Sequence, residues 1–254
     1  MLSGGVRYTV ARPAILSPIC HQLCIRKEPT LSELPSQTRY ADETLAAVAF
    51  IGETLAPFFL EDPHTGNAGL AFDALAALDV AGAPAQTAKL VKPGDSVLIL
   101  GAAGKSGILC GYEAMKRVGP TGNVVAVVRR ESQIQQLLDL GVCHKAVLAS
   151  ATEPADVLEK SLAANDGKEY DLSISCVNVE NTEMSCILPV RNGGMVYFFS
   201  MATSFTKAAL GAEGVGKDVN MIIGNGYTKD HADITLWELR ESEKIRKLFE
   251  EKYI

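Results

Sequence analysis

Three regularly spaced glycines form the clearest chemical motif of this sequence. Gly101, Gly104 and Gly107 follow the apolar run 97–100 and precede a helical pattern over 108–118. Between a strand and a helix, such glycines allow a sharp turn, the approach of backbone N–H groups to a pyrophosphate, and close helix–strand packing. The helix N-terminus then directs its free N–H groups at the phosphates. The motif predicts a dinucleotide-binding loop with these contact residues: Gly101, Ala103, Gly104, Lys105, Ser106 and Gly107.

The same loop imitates the end of a nucleoside-triphosphate P-loop at Gly104, Lys105 and Ser106. That motif needs a further glycine five residues before its second glycine, and Ile99 stands there within the apolar run. The spacing therefore excludes a P-loop.

The residues after the second apolar run concern the choice between NAD and NADP. A carboxylate at this point binds the ribose 2′-hydroxyl of NAD, whereas a basic residue accommodates the 2′-phosphate of NADP. Arg129 and Arg130 follow the run 123–128, and no acidic residue lies between that run and Glu131. Arg129 favours NADP. The alternative is that both arginines are solvated or stack on the adenine, which leaves NAD or NADP open as the cofactor.

Six apolar runs alternate with helical patterns from residue 91 onward. The predicted strands are 97–100, 123–128, 145–148, 171–177, 194–199 and 219–223, and the predicted helices are 108–118, 131–140, 154–162, 182–188 and 232–251. This alternation predicts an α/β fold with a doubly wound parallel Rossmann sheet. We assign residues 91–254 to this dinucleotide-binding domain and residues 1–90 to a partial N-terminal or catalytic region.

Ligands of doubly wound sheets lie outside the carboxyl ends of the strands. Asn178, Ser200, Met201 and Asn225 follow predicted strands and are therefore expected to contact the cofactor. Packed strand ends or plain loops are the alternative explanation. The segment opened by Gln86 and Thr87 is expected to face the cleft, with a helix cap or turn as the alternative.

Composition excludes several other classes of protein. Thirty acidic residues against 24 Lys and Arg, a net charge of −6, argue against nucleic acid and anionic membranes as partners. The apolar runs are too short to span a bilayer. Six scattered cysteines form no disulfide framework, and Cys20, His21 and Cys24 lack a second pair at zinc spacing. We expect a cytoplasmic protein with free thiols and no metal site.

Several long segments resemble the L-erythro-3,5-diaminohexanoate dehydrogenases of the medium-chain dehydrogenase/reductase superfamily. The segments are 78–89, 101–107, 117–122, 198–205, 211–218 and 224–229, and the resemblance covers about residues 70–254. It implies NAD- or NADP-dependent oxidative deamination of a diamino acid at C3 to 5-amino-3-oxohexanoate and ammonia, in lysine fermentation. The family has a GroES-like catalytic domain that residues 1–69 do not resemble. We therefore expect a shortened or truncated form of that domain.

The resemblance leaves the acid–base residue open. Asp79 and Glu213 lie in shared segments and are the candidate catalytic carboxylates, although each could equally be a surface or capping residue. A homodimer through edge pairing of the sixth strands is also implied. Two alternatives remain: a zinc-free quinone or enone reductase of the same superfamily, and a cofactor-binding remnant without activity.

Overall fold

A computed structural model describes residues 76–224 and 227–253 of the chain. The helices in these ranges are α1 (Gly82–Leu90), α2 (Lys105–Val118), α3 (Ser132–Leu140), α4 (Pro154–Ala164), α5 (Glu183–Ile187), α6 (Phe205–Gly214), α7 (His231–Glu241) and α8 (Glu243–Tyr253). The strands are β1 (Ser96–Leu100), β2 (Asn123–Val128), β3 (Lys145–Leu148), β4 (Tyr170–Ser175), β5 (Val190–Phe198) and β6 (Asn220–Ile223).

The six strands form one parallel sheet in the order β3-β2-β1-β4-β5-β6. Chain order reverses between β1 and β4, which creates a crevice at the carboxyl ends of these two strands. The prediction of a doubly wound parallel Rossmann sheet is therefore confirmed. Of the predicted partial GroES-like region, 1–90, residues 1–75 lie outside the described residues, so this part of the prediction stays untested.

Side chains of each central strand alternate between two apolar layers. Val97 and Ile99 of β1 pack in the layer that includes α2, α7 and α8, whereas Leu98 and Leu100 pack against α5 and α6. A strand covered on both faces needs apolar residues at every position, because neither face meets water. This explains the continuous apolar run 97–100, and it places the glycine loop directly after β1.

Three helical regions differ from the predictions, and one of them is α6 (Phe205–Gly214), which lies between the fifth and sixth strands where no helix was predicted. The segment before β1 forms α1, although Gly82 and Pro84 are poor helix formers. Burial explains this helix, because Gly82 to Thr87 are all buried. The predicted helix 232–251 is two helices broken at Ser242, whose backbone is extended and whose Oγ accepts a hydrogen bond from the Ile245 N–H at 3.3 Å.

The proposed boundary between residues 90 and 91 stays a prediction. Leu78 and Ala83, on its N-terminal side, share one apolar layer with Val97 of β1. The packed unit described here therefore includes residues on both sides of that boundary.

Candidate dinucleotide-binding site

The carboxyl ends of the strands meet along one edge of the sheet. The Cys176 N–H, just after β4, donates to the Leu100 carbonyl at the end of β1 at 2.9 Å. The Gly224 N–H, just after β6, donates to the Phe198 carbonyl of β5 at 2.7 Å. These bonds align the loops that follow the four strands, so the groups in them border the same crevice.

Two of the three loop glycines are required by packing. Gly101 has φ +72°, and a Cβ there would lie 2.9 Å from the backbone of Cys176. A Cβ on Gly107 would lie 2.4 Å from the Gly101 carbonyl oxygen. Both contacts are with backbone atoms that cannot turn aside. These positions therefore hold α2 close to β1 and β4.

Gly104 has a different role. It is exposed and precedes the first residue of α2, and a Cβ there would meet only the Gly101 carbonyl oxygen, at 3.4 Å. The fold thus leaves open space over this residue. A ligand can use that space to approach the backbone closely.

The N-terminus of α2 supplies hydrogen-bond donors at the same point. The Ile108 N–H donates to the Gly104 carbonyl at 3.0 Å, the first bond of the helix ladder. The N–H groups of Lys105, Ser106 and Gly107 precede that bond and have no acceptor in the ladder. Three free donors at the positive end of a 14-residue helix suit a pyrophosphate. The residues present therefore fit a dinucleotide.

Arg129 and Arg130 lie beside this loop. β2 pairs with β1 in the register Leu100–Val127, so the residues after β2 adjoin the residues after β1. Both arginines are exposed, and neither guanidinium has an ion-pair partner within residues 76–224 and 227–253. The preference for NAD or NADP stays a prediction.

The other predicted cofactor contacts that the structure describes lie along the carboxyl edge as well. Ala103 is half-buried in the loop itself. Asn178 is exposed after β4, Ser200 is half-buried after β5, and Met201 beside it is 90% exposed. Asn225 lies outside the described residues.

The candidate carboxylate Asp79 is ion-paired to the loop. Lys105 Nζ lies 3.0 Å from Asp79 Oδ2 and 5.6 Å from the centre of the Tyr253 ring. The structure thus joins two residues that the sequence assigned to different roles, a catalytic carboxylate and a phosphate-loop contact. The Asp79 side chain remains 59% exposed, so the pair is open to solvent and to ligands.

The candidate carboxylate Glu213 lies elsewhere. It stands one residue before the end of α6, which returns from the carboxyl edge after β5 to the amino edge before β6. The residues between α6 and β6 lie at this amino edge, where the Asp218 carbonyl accepts a hydrogen bond from the Gly193 N–H of β5 at 2.7 Å. The structure does not bring Glu213 to the edge that carries the glycine loop.

A cleft of about 770 Å³ lies between α1, β6 and the segment 227–234. Gln86 lines it, and its Oε1 accepts a hydrogen bond from the Thr228 hydroxyl at 3.1 Å. Thr87 is fully buried instead, with its hydroxyl donating to the Ala83 carbonyl at 2.9 Å. Gln86 therefore lines this cleft, whereas Thr87 does not, and the contact of this segment with a cofactor or substrate stays a prediction.

The part of the chain that the structure describes has neither a metal-ion site nor a helix that could span a membrane. No group of three or more His, Cys, Asp or Glu side chains there could hold a metal ion. The candidate ligands Cys20, His21 and Cys24 lie outside the described residues. No helix in the described ranges is both long enough and apolar enough to cross a bilayer.

Comparison with known proteins adds a specific likeness. A long segment of this chain is similar to L-erythro-3,5-diaminohexanoate dehydrogenases. Over 181 residues, 71% of this chain, it is 75% identical to the enzyme of that name from Acetoanaerobium sticklandii and 66% identical to the one from Fusobacterium nucleatum. The chain spans about half the length of these curated relatives, 53% and 52%. The expected resemblance is confirmed for the matched segment, and no family model matches the chain.

Solved structures show the same fold at lower identity. A zinc-dependent alcohol dehydrogenase from Streptococcus pneumonia has a TM-score of 0.53 at 19% identity, over 68% of this chain and 49% of that one. A quinone oxidoreductase from Pseudomonas syringae has a TM-score of 0.51 at 18% identity, over 72% of this chain and 56% of that one. These likenesses establish the Rossmann fold of the described part of the chain.

Proposed function

We propose that this chain takes part in the NAD(P)-dependent oxidative deamination of L-erythro-3,5-diaminohexanoate. The observation that carries the proposal is the 75% identity to a dehydrogenase of that name over 181 residues. The glycine loop and the free N–H groups of α2 support it, because such a dehydrogenase needs a dinucleotide site. The reaction would be of the class that oxidises a CH–NH₂ group, as expected from the sequence.

In this reaction the substrate C3 loses a hydride and its amine loses a proton, which gives an imine. Water then replaces the imine nitrogen, and the products are 5-amino-3-oxohexanoate, ammonia and the reduced cofactor. A bound NAD or NADP would supply the hydride acceptor. The N–H groups of Lys105, Ser106 and Gly107 would hold the pyrophosphate, and Arg129 and Arg130 would lie beside the adenosine ribose.

The remaining contacts are assigned by their place along the carboxyl edge. Asn178, Ser200 and Met201 would border the riboses and the nicotinamide, and Asn225 would follow them after β6. Asp79 is the carboxylate that we propose for a substrate ammonium group or for the amine proton. Its exposed ion pair with Lys105 leaves one carboxylate oxygen available to a ligand. Glu213 is left out, because α6 carries it away from this edge.

The test is the formation of NADH and NADPH by the purified chain with 3,5-diaminohexanoate, in parallel assays. Turnover with either cofactor supports the proposal. Turnover of quinones with NADPH, without turnover of the amine, would favour the reductase alternative. Cofactor binding without turnover of any amine or enone would favour the remnant.

Arg129→Ala is expected to weaken NADP binding by roughly ten- to hundred-fold and to change NAD binding little, because a lost charge-assisted hydrogen bond to phosphate is worth about 1.5–3 kcal/mol. Titration of the purified variant with each dinucleotide measures this difference. Lys168→Ala is the matched control, because it removes one exposed positive charge just before β4, at the opposite edge. Equal weakening by both variants, or of both cofactors, would contradict the assignment.

A homodimer through the sixth strands is a further part of the proposal. β6 pairs with β5 on one side, and within the described residues its other side has no strand partner. Ile223 of β6 is 49% exposed. Ile223→Lys is expected to halve the mass measured by sedimentation, because an exposed strand edge with a new charge pairs poorly. Leu138→Lys on α3, at a side chain 37% exposed, should leave the mass unchanged.

A cytoplasmic location and the lack of nucleic acid partners also stay predictions. The four described cysteines are free thiols, which suits a reducing compartment. The excess of acidic residues suits a partner other than a polyanion. Fractionation of cells that produce the chain, with its recovery followed in the cytosol and in nucleic acid pull-downs, measures both.

A further inference from the structure

Two cysteines meet beneath the glycine loop. Cys110 lies in the second turn of α2, and Cys176 is the first residue after β4. Their Sγ atoms are 3.9 Å apart. A disulfide needs about 2.05 Å between the sulfurs, so the two thiols are in contact but not bonded and must move closer to form one. Neither thiol has a role in the proposed reaction.

The two thiols differ in access. Cys110 is fully buried, whereas Cys176 is half-buried at the crevice edge of the sheet. A small oxidant can therefore reach Cys176 first. The backbone at Cys176 is held by its hydrogen bond to Leu100 and by its contact with Gly101, so the thiol stays beside Cys110.

The other described cysteines are poorly placed to compete. Burial raises the pKa of the Cys143 and Cys186 thiols to about 12, so both remain protonated and unreactive at neutral pH. Burial also raises the pKa of the Cys110 thiol, and the neighbouring Cys176 side chain raises it further. Cys110 is therefore not the thiol that meets an oxidant from solvent, and its place 3.9 Å from the Cys176 sulfur is what lets it react second.

We propose that Cys110 and Cys176 form an oxidation site that closes to a disulfide when a hydroperoxide reaches Cys176. The Cys176 thiol gives up its proton and its sulfur attacks the peroxide, the O–O bond breaks, the departing oxygen takes up that proton and leaves as an alcohol or water, and Cys176 becomes a sulfenic acid. The Cys110 sulfur then attacks Cys176, the S–S bond forms, the S–O bond breaks, and water leaves with the Cys110 proton. Two thiols are oxidised by two electrons, and one hydroperoxide is reduced. The new bond would tie α2, which carries the phosphate loop, to the end of β4.

The test uses peptide mapping of the full chain. Cys176 and Cys186 share the tryptic peptide 169–191, so the experiment is done with Cys186→Ser. The protein is treated with hydrogen peroxide under native conditions, alkylated and digested. We expect peptides 106–116 and 169–191 joined, lighter than their sum by two hydrogens and separated by a thiol reductant. On a denaturing gel without reductant, the chains that yield the joined peptides should migrate as monomers, because the disulfide lies within one chain.

Two further variants separate the steps. With Cys110→Ser, the sulfenic acid of Cys176 has no thiol partner, and dimedone should label peptide 169–191 instead. Cys143→Ser, at another buried thiol, should leave the joined product unchanged. The proposal is wrong if Cys110 and Cys176 both remain alkylatable after peroxide, or if the joined peptides come only from cross-linked dimers.

Discussion

Gly107→Ala is expected to lower the free energy of unfolding by about 3 kcal/mol, a large part of the stability of an ordinary domain. The new Cβ would lie 2.4 Å from the Gly101 carbonyl oxygen and 2.6 Å from the Ala102 Cα. Both atoms belong to the loop backbone, so relief requires α2 to move away from β1. Urea unfolding followed by circular dichroism measures the loss.

Gly104→Ala is the matched control, because it places the same methyl group three residues earlier in the same loop. Its Cβ would meet one atom, at 3.4 Å, so stability should change by about 1 kcal/mol or less. Dinucleotide affinity should nevertheless fall about ten-fold, since the methyl occupies space that a pyrophosphate needs. Equal losses of stability in the two variants would contradict the division of roles between these glycines.

The sequence was sufficient to predict the sheet and its loop, because both depend on local constraints. Four consecutive apolar residues, 97–100, are needed where a strand is covered on both faces, and Gly101 and Gly107 are needed where backbones touch. α1 could not be predicted in this way. Its sequence contains Gly82 and Pro84, and its helical form depends on burial beside elements that follow it in the chain.

Pairings between distant residues were also beyond the sequence. Lys105 and Asp79 are 26 residues apart, and no periodicity links a loop lysine to an acid before α1. Glu213 could not be placed from the sequence either. It lies in a segment that resembles the dehydrogenases, but that resemblance does not say at which edge of the sheet the segment lies. The βαβ connection decides its place by returning α6 to the amino edge.

Glu238→Gln is expected to stabilise the protein at pH 8 by roughly 1–3 kcal/mol, because the neutral amide loses no stability as pH rises above the ordinary glutamate pKa, whereas a carboxyl group with a raised folded-state pKa does. Glu238 is fully buried on α7, and no described donor lies within hydrogen-bonding distance of either carboxyl oxygen. The Glu113 carboxyl group faces it from α2 and is itself 1% exposed. Gln donates a hydrogen bond to Glu113 without carrying a charge, as the protonated acid would.

Neighbouring charges compensate Glu113 rather than Glu238. The Arg117 Nε donates to Glu113 Oε1 at 2.7 Å, and Lys116 Nζ lies 3.6 Å from Glu113 Oε2. Burial, and then the Glu113 carboxylate, raise the pKa of Glu238 well above its ordinary value. Lys116 opposes this shift, and Glu241 adds to it. Burial and the facing Glu113 side chain therefore both favour the protonated form of Glu238.

The sign of the pH dependence follows from this proton. Above the ordinary glutamate pKa, about 4.3, the unfolded chain has lost the proton that folded Glu238 retains. The contribution of Glu238 to stability is thus complete below that pH and declines as pH rises towards the raised pKa. The free energy of unfolding of Glu238→Gln should fall less between pH 5 and pH 8 than that of the unmodified protein, as measured by urea unfolding at each pH.

Glu241→Gln provides the control on the same helix. Glu241 is 40% exposed and pairs with Lys116 at 2.6 Å, a surface contact worth about 0–1 kcal/mol, so its removal should leave the pH slope nearly unchanged. If Glu238→Gln instead destabilises the protein at pH 8, Glu238 must be ionised and paired in the folded state. Parallel pH profiles for Glu238→Gln and the unmodified protein would likewise show that the buried proton is absent, because a group with equal pKa values in both states adds no slope.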